Sequence, residues 1–173
     1  MDDQSCHCLL CTAPAGSPEG SPDAPERTTA DRIRRFGWTV TGDPASNLAY
    51  STGLWHTFRA PEICVLGVPA RLGRRIVTAV GNLIGDGDTL LDGERRDDVL
   101  TGYDVVVRAV RDGWHPRFFG AGLDFYRRTR MPMMQIVWPD RAGRFPWEPG
   151  TDAGYRAAQP SLWLHPEDDP AGS

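Results

Sequence analysis

The stretch from Leu48 to Pro69 limits the possible folds of this chain more than any other. Its second half, Ile63-Cys-Val-Leu-Gly-Val68, is almost continuously apolar, as a short strand buried on both faces must be. Its first half, Leu48 to Leu54, mixes aromatic, hydroxyl and glycine residues and reads as a second strand joined to the first by a polar connection. Pro69 then suits the start of a helix, where the missing N–H has no intrahelical acceptor to lose. Leu72, Ile76, Val80, Leu83 and Ile84 recur at helical spacing behind it, with Arg71, Arg74 and Arg75 turned outward. A sheet with a helix laid on it is the simplest way to bury both patterns.

The remaining elements extend that layout. Thr28 or Thr29 can cap a helix running to Phe36, with Ile33 and Phe36 on its apolar side, and Gly37 ends it. Trp38 to Thr41 alternates like a strand, and Gly42-Asp-Pro44 is a turn. After the long helix, Gly85-Asp-Gly-Asp88 opens a polar loop reaching Asp98; without a full set of spaced carboxylates it reads as a solvated turn rather than a calcium loop. Tyr103 to Val110 is the clearest strand, Pro116 to about Arg128 a second amphipathic helix, and Pro132 to Trp138 a last strand. Beyond Trp147 the chain looks loop-like. Strands arriving in a group and then alternating with helices predict an α+β fold, one mostly antiparallel sheet with two to three helices packed on it.

Three segments follow from composition. Residues 1–25 carry a Cys/His cluster and then a run of Pro, Gly, Ala and Ser, and read as a flexible segment separable from the fold. Residues 26–160 form a single domain, and 161–173 a disordered tail. A net charge of −4, with every basic side chain an arginine, provides no basic field for phosphate backbones, so nucleic acid is disfavoured as a partner. Richness in Arg, Gly, Ala and Pro suggests a high-GC bacterial genome. No apolar run approaches the roughly 20 residues that span a bilayer, so no membrane is expected. An acidic start unlike a signal peptide makes the cytoplasm the expected location.

Several phrases, taken in order, resemble a bacterial family, domain of unknown function 4262. They are Phe36-Gly-Trp38, Ala49-Tyr-Ser-Thr-Gly-Leu54, Pro61-Glu62, Gly67-Val-Pro69, Gln135-Ile-Val-Trp-Pro-Asp140 and Gly143-Arg-Phe-Pro-Trp147. The N-terminal cysteines also resemble those of actinobacterial members, and the likeness covers about Cys8 to Pro149. Members often carry a histidine before the Pro-Glu pair, where this chain has Ala60. The resemblance implies a shared fold and no reaction.

Two constellations carry chemistry. Cys6-x-Cys8-x-x-Cys11, beside His7, is the nearest approach to a metal motif, since two thiols with two residues between them, as in Cys8 and Cys11, can wrap one zinc ion. Cys6 is the expected third ligand, and the fourth must come from elsewhere, for example His56 or His115; the alternative is an untethered or redox-active thiol cluster. Separately, Tyr50, His56 and Glu62 suit general acid–base work if they converge, with Ser51 and Thr52 lining a polar pocket. Trp138, Asp140, Arg144 and Trp147, on a proline-stiffened loop, are expected to close over that pocket and contact a ligand. Two functions follow. One is binding or transformation of a small molecule between the Tyr50–Glu62 region and the Trp138–Trp147 loop. The other is a non-enzymatic interaction or regulatory module, in which a zinc- or redox-active cysteine segment engages a protein partner.

Overall fold

The computed structural model describes residues 6–12, 25–43 and 45–169. Six strands form one open sheet in the order β1-β2-β3-β6-β5-β4. They are β1 (Thr39–Asp43), β2 (Leu48–Thr52), β3 (Glu62–Leu66), β4 (Arg95–Leu100), β5 (Tyr103–Ala109) and β6 (Met133–Val137). Every neighbouring pair is antiparallel except β3 and β6, which run parallel with Glu62 opposite Met133. The helices are α1 (Leu9–Thr12), α2 (Pro25–Phe36), α3 (Leu54–Phe58), α4 (Ala70–Gly85), α5 (His115–Phe118), α6 (Gly120–Tyr126) and α7 (Ala153–Ala158). This is the α+β architecture the strand grouping predicts. Among the described residues no helix is long and apolar enough to cross a membrane.

Alternation along the strands divides the core in two, because successive side chains point to opposite faces. On one face Ile63, Val65, Val105, Val107 and Ile136 meet Ile76, Val77, Val80 and Ile84 of α4. Gly81 belongs to that helix because a Cβ there would lie 2.4 Å from the Trp38 ring. Leu72 and Leu83, expected on the buried face, fall at its margins, and Leu72 is exposed. On the other face Tyr50, Cys64, Leu66 and Met133 meet Trp114, Phe119, Phe125 and Tyr126, together with Ile33 of α2. Phe36, expected beside Ile33, is instead 65% exposed, with the Arg35 guanidinium over its ring.

Several segments depart from the sequence reading: α2 begins at Pro25 rather than after Thr28 or Thr29, β1 takes in Gly42 and Asp43 of the expected turn, and α3 is a helix within the expected polar connection. Arg95–Leu100, expected as loop, is an edge strand paired with β5. Its residues alternate too little to reveal it, and Arg96 instead binds Asp88 and Asp98, each at 2.6 Å. The helix expected over Pro116 to Arg128 is broken at Phe119 (φ −121°, ψ 30°), dividing α5 from α6. Past Trp147, Asp152 caps α7 by accepting from the N–H groups of Gly154 and Tyr155, and Gly67 at φ +77° makes room for the Ala158 carbonyl. Leu162, within the expected disordered tail, is buried in the second core beside Trp114, and Gln135 fixes it by accepting from its N–H at 3.1 Å. The expected linker over 13–24 and the last four residues lie outside the described residues.

Candidate metal centre and its buried carboxylate

A tight turn brings the N-terminal cysteines together. The N–H groups of Cys11 and Thr12 both donate to the Cys8 carbonyl, at 3.0 and 3.1 Å, which sets Cys8 and Cys11 on one side of α1. Arg127 at the end of α6 tethers this turn by donating to the Thr12 hydroxyl at 3.3 Å. Cys6 and Cys8 are buried in the aromatic core, so the segment expected to be separable is docked at these residues.

The docked thiols meet His56 of α3. Its Nδ1 lies 3.8 Å from Cys6 Sγ, 3.2 Å from Cys8 Sγ and 3.5 Å from Cys11 Sγ. All four ligand atoms fall within 4.8 Å of one another. A tetrahedral zinc ion, with bonds of about 2.3 Å to sulfur and about 2.0–2.1 Å to nitrogen, separates S and N by about 3.6 Å. The observed distances straddle that value. Burial pushes the Cys8 thiol up to about 12 and the Cys11 thiol above its ordinary value, while burial lowers the His56 imidazole. A neutral imidazole has a lone pair to give, and buried thiols stay protonated until a cation stabilises their thiolates. His115, the other candidate for fourth ligand, is elsewhere: it is fully buried, and its Nδ1 accepts from the Met131 N–H at 3.4 Å.

What places His56 is a buried glutamate. β2 ends at Thr52, Gly53 turns the chain at φ +111°, and α3 begins at Leu54. Glu62, at the start of β3, lies beneath this turn, fully excluded from solvent. Its Oε1 accepts from the N–H groups of Gly53 at 2.9 Å and Trp55 at 3.1 Å, and from the Tyr126 hydroxyl. Its Oε2 accepts from the Ser51 hydroxyl at 2.5 Å, and Ser51 in turn accepts from the Ile63 N–H at 2.9 Å. Glu62 therefore satisfies the first N–H groups of the helix that carries His56, a role usually filled by a residue just before the helix. Tyr126 joins the two, since its oxygen also accepts from the Gly53 N–H at 3.0 Å, at the start of the helix that carries His56. Burial holds the Glu62 carboxyl above the ordinary carboxylate range, against the opposing pull of its donors.

Among the described residues, the two halves of the expected pocket lie apart. Tyr50 lies on the sheet face opposite α4, edge-on to Phe119 with ring centres 5.3 Å apart. Thr52 is buried there with no hydrogen-bond partner for its hydroxyl among the described residues. Trp138 lies on the α4 face, its indole N–H donating to the Leu66 carbonyl at 2.8 Å. Glu62 sits opposite Met133 in the parallel pair, whereas Trp138 is five residues further on, about 16 Å along the strands. The two halves thus occupy opposite ends of β3 and β6. Asp140 and Arg144, expected to face Glu62 or a ligand, pair with each other at 3.1 Å. Asp140 also accepts from the Arg144 and Ala142 N–H groups, which hold its carboxyl below the usual range. Trp147 stacks on Phe145 at 5.1 Å and meets Trp163 edge-on.

Sequence spacing pointed to the three cysteines, but the choice of His56 and the capping by Tyr126 depend on contacts between distant segments. The fold and site together define a single α+β domain with a Cys3His cluster that can hold a metal ion. The chain belongs to the family described as Domain of unknown function (DUF4262), which it matches over residues 32–152. His56 falls within that match and the three cysteines precede it. No curated protein and no solved structure matches the chain.

Proposed function

We propose that the protein is a zinc-clamped interaction module, in which a Cys3His centre formed by Cys6, Cys8, Cys11 and His56 fastens the N-terminal segment to the α+β domain. The observation that carries this reading is the spacing of the three thiols about His56 Nδ1, at 3.2 to 3.8 Å. Three thiolates and one imidazole fill the four positions of a structural zinc site and leave none open for substrate, which favours a clamp over catalysis at the metal. The thiols also lack the setting of redox-active cysteines: burial drives Cys8 and Cys11 away from the thiolate rather than toward it. With zinc bound, the segment covers the aromatic surface around Trp55, Phe125 and Tyr126; without it, that surface becomes available to a protein partner.

The test is metal analysis and native mass spectrometry of the full chain purified without chelator. About one equivalent of zinc, lost in both Cys8→Ser and His56→Ala, is the expected result. Less than about a tenth of an equivalent after zinc-replete expression overturns the reading. Zinc retained in full by His56→Ala removes His56 from the ligand set.

A further inference from the structure

A second site lies away from the cysteines, at the carboxyl ends of the parallel pair β3 and β6. There a cavity of about 400 Å³ opens between the turn Gly67-Val68-Pro69, the residues Leu100, Thr101 and Tyr103 at the β4–β5 turn, and the segment Trp138 to Arg141. That volume is within the range that holds small organic ligands, roughly 300–1,000 Å³. Its position also matches the place where sheets with parallel strands bind ligands, outside the strand carboxyl ends.

The lining is chemically specific. Trp138 and Tyr155 meet edge-on with ring centres 5.0 Å apart and form one aromatic wall. Leu72 and Tyr103, both large side chains left exposed by the fold, form the other side. An apolar concavity walled by aromatic rings selects a flat apolar body. The charges at the rim are not balanced. Asp140 lines the cavity but is neutralised by Arg144 and by backbone N–H groups. Arg141, beside it, has no carboxylate within ion-pairing distance among the described residues. Trp138 has its indole N–H committed to Leu66, whereas the Tyr103 and Tyr155 hydroxyls make no hydrogen bond to the described residues.

We propose that this cavity binds a small aromatic carboxylate, its ring between Trp138, Tyr155, Leu72 and Tyr103 and its carboxylate on Arg141. A guanidinium can bind a carboxylate through two parallel hydrogen bonds, and the free tyrosine hydroxyls offer a further donor. The site requires nothing of the cysteine centre, so its success or failure is independent of zinc.

The experiment is isothermal titration of the full chain with 2-naphthoate and with its neutral analogue 2-naphthylmethanol. Saturable binding of 2-naphthoate with Kd below about 1 mM is expected, and the alcohol should bind about tenfold more weakly, as a lost charge-assisted hydrogen bond implies. Arg141→Ala, at an exposed position, should abolish the difference between the two. Leu72→Trp, which fills the cavity from an exposed helix position, should abolish binding of both while leaving the melting temperature within a few degrees. Absence of saturable 2-naphthoate binding up to about 1 mM overturns the proposal. So does binding unchanged in either variant.

Discussion

Replacing Glu62 by glutamine keeps the shape of the buried cap and changes its hydrogen-bond logic. The carboxyl accepts from two backbone N–H groups, the Tyr126 hydroxyl and the Ser51 hydroxyl. Glutamine can keep one oxygen for the three donors that meet Oε1. Its NH2 then faces Ser51, whose hydroxyl must turn away and lose its acceptor. One buried hydrogen bond lost, with a donor facing a donor, costs about 1–3 kcal/mol. Glu62→Ala removes all the acceptors and leaves a void, so it should cost roughly 4 kcal/mol or more, a large share of a typical total of about 5–15 kcal/mol. The assay is urea unfolding at a series of pH values, comparing midpoints at unchanged m-value. pH dependence has a definite sign. Because burial raises the folded-state carboxyl above its unfolded value, the folded chain holds this proton more tightly. The resulting stability is complete below the ordinary carboxylate range and is lost as pH rises through the folded-state value. Glutamine has no such proton, so the gap between wild type and Glu62→Gln should narrow with rising pH. Carboxylates held low, such as Asp88 and Asp98, change stability in the opposite sense but are common to both proteins and cancel. A gap that widens with pH would show that the cap selects the ionised carboxylate and refute the desolvation argument. A gap below about 0.5 kcal/mol at every pH would show that the donors do not depend on Glu62.

Four further outcomes follow from the packing. A chain begun at Pro25 loses the buried Cys6 and Cys8 and the partly buried Leu9 and Leu10, and should be less stable by roughly 2–4 kcal/mol in urea unfolding. Gly67→Ala places a Cβ 2.3 Å from the Ala158 carbonyl at φ +77°, and should lower the melting temperature by several degrees, about 1–3 kcal/mol or more. Trp147→Ala should cost about 1–2 kcal/mol, less than the 3–5 typical of a fully buried aromatic, because Trp147 is 45% exposed. Tyr126→Phe should lose about 1.5–3 kcal/mol and weaken zinc binding about tenfold, read by competition with a chelator, since it removes the hydroxyl that holds Glu62 and the Gly53 N–H at the start of the helix carrying His56.

The sequence by itself determined the sheet, its principal helix and the chemistry available at the N-terminus. Ile63 to Leu66 is a short apolar run rich in β-branched residues and bounded by Gly67 and Pro69, which favours a buried strand. The α4 pattern has one buried face, and Cys8 and Cys11 stand at ligand spacing. These signals are local, so they survive without knowledge of the neighbours. Tertiary structure alone decided which histidine joins the cysteines, because His56 and His115 are equal as letters and differ only in where α3 and α5 lie. It also made Glu62 a helix cap, since its donors come from Ser51, Gly53, Trp55 and Tyr126 on three separate elements. The parallel alignment of β3 with β6 separated Trp138 from Glu62, and nothing in either strand's own pattern carries that register. The charged edge strand β4 and the buried Leu162 were hidden for the same reason: each depends on distant partners, β5 for one and the aromatic core for the other.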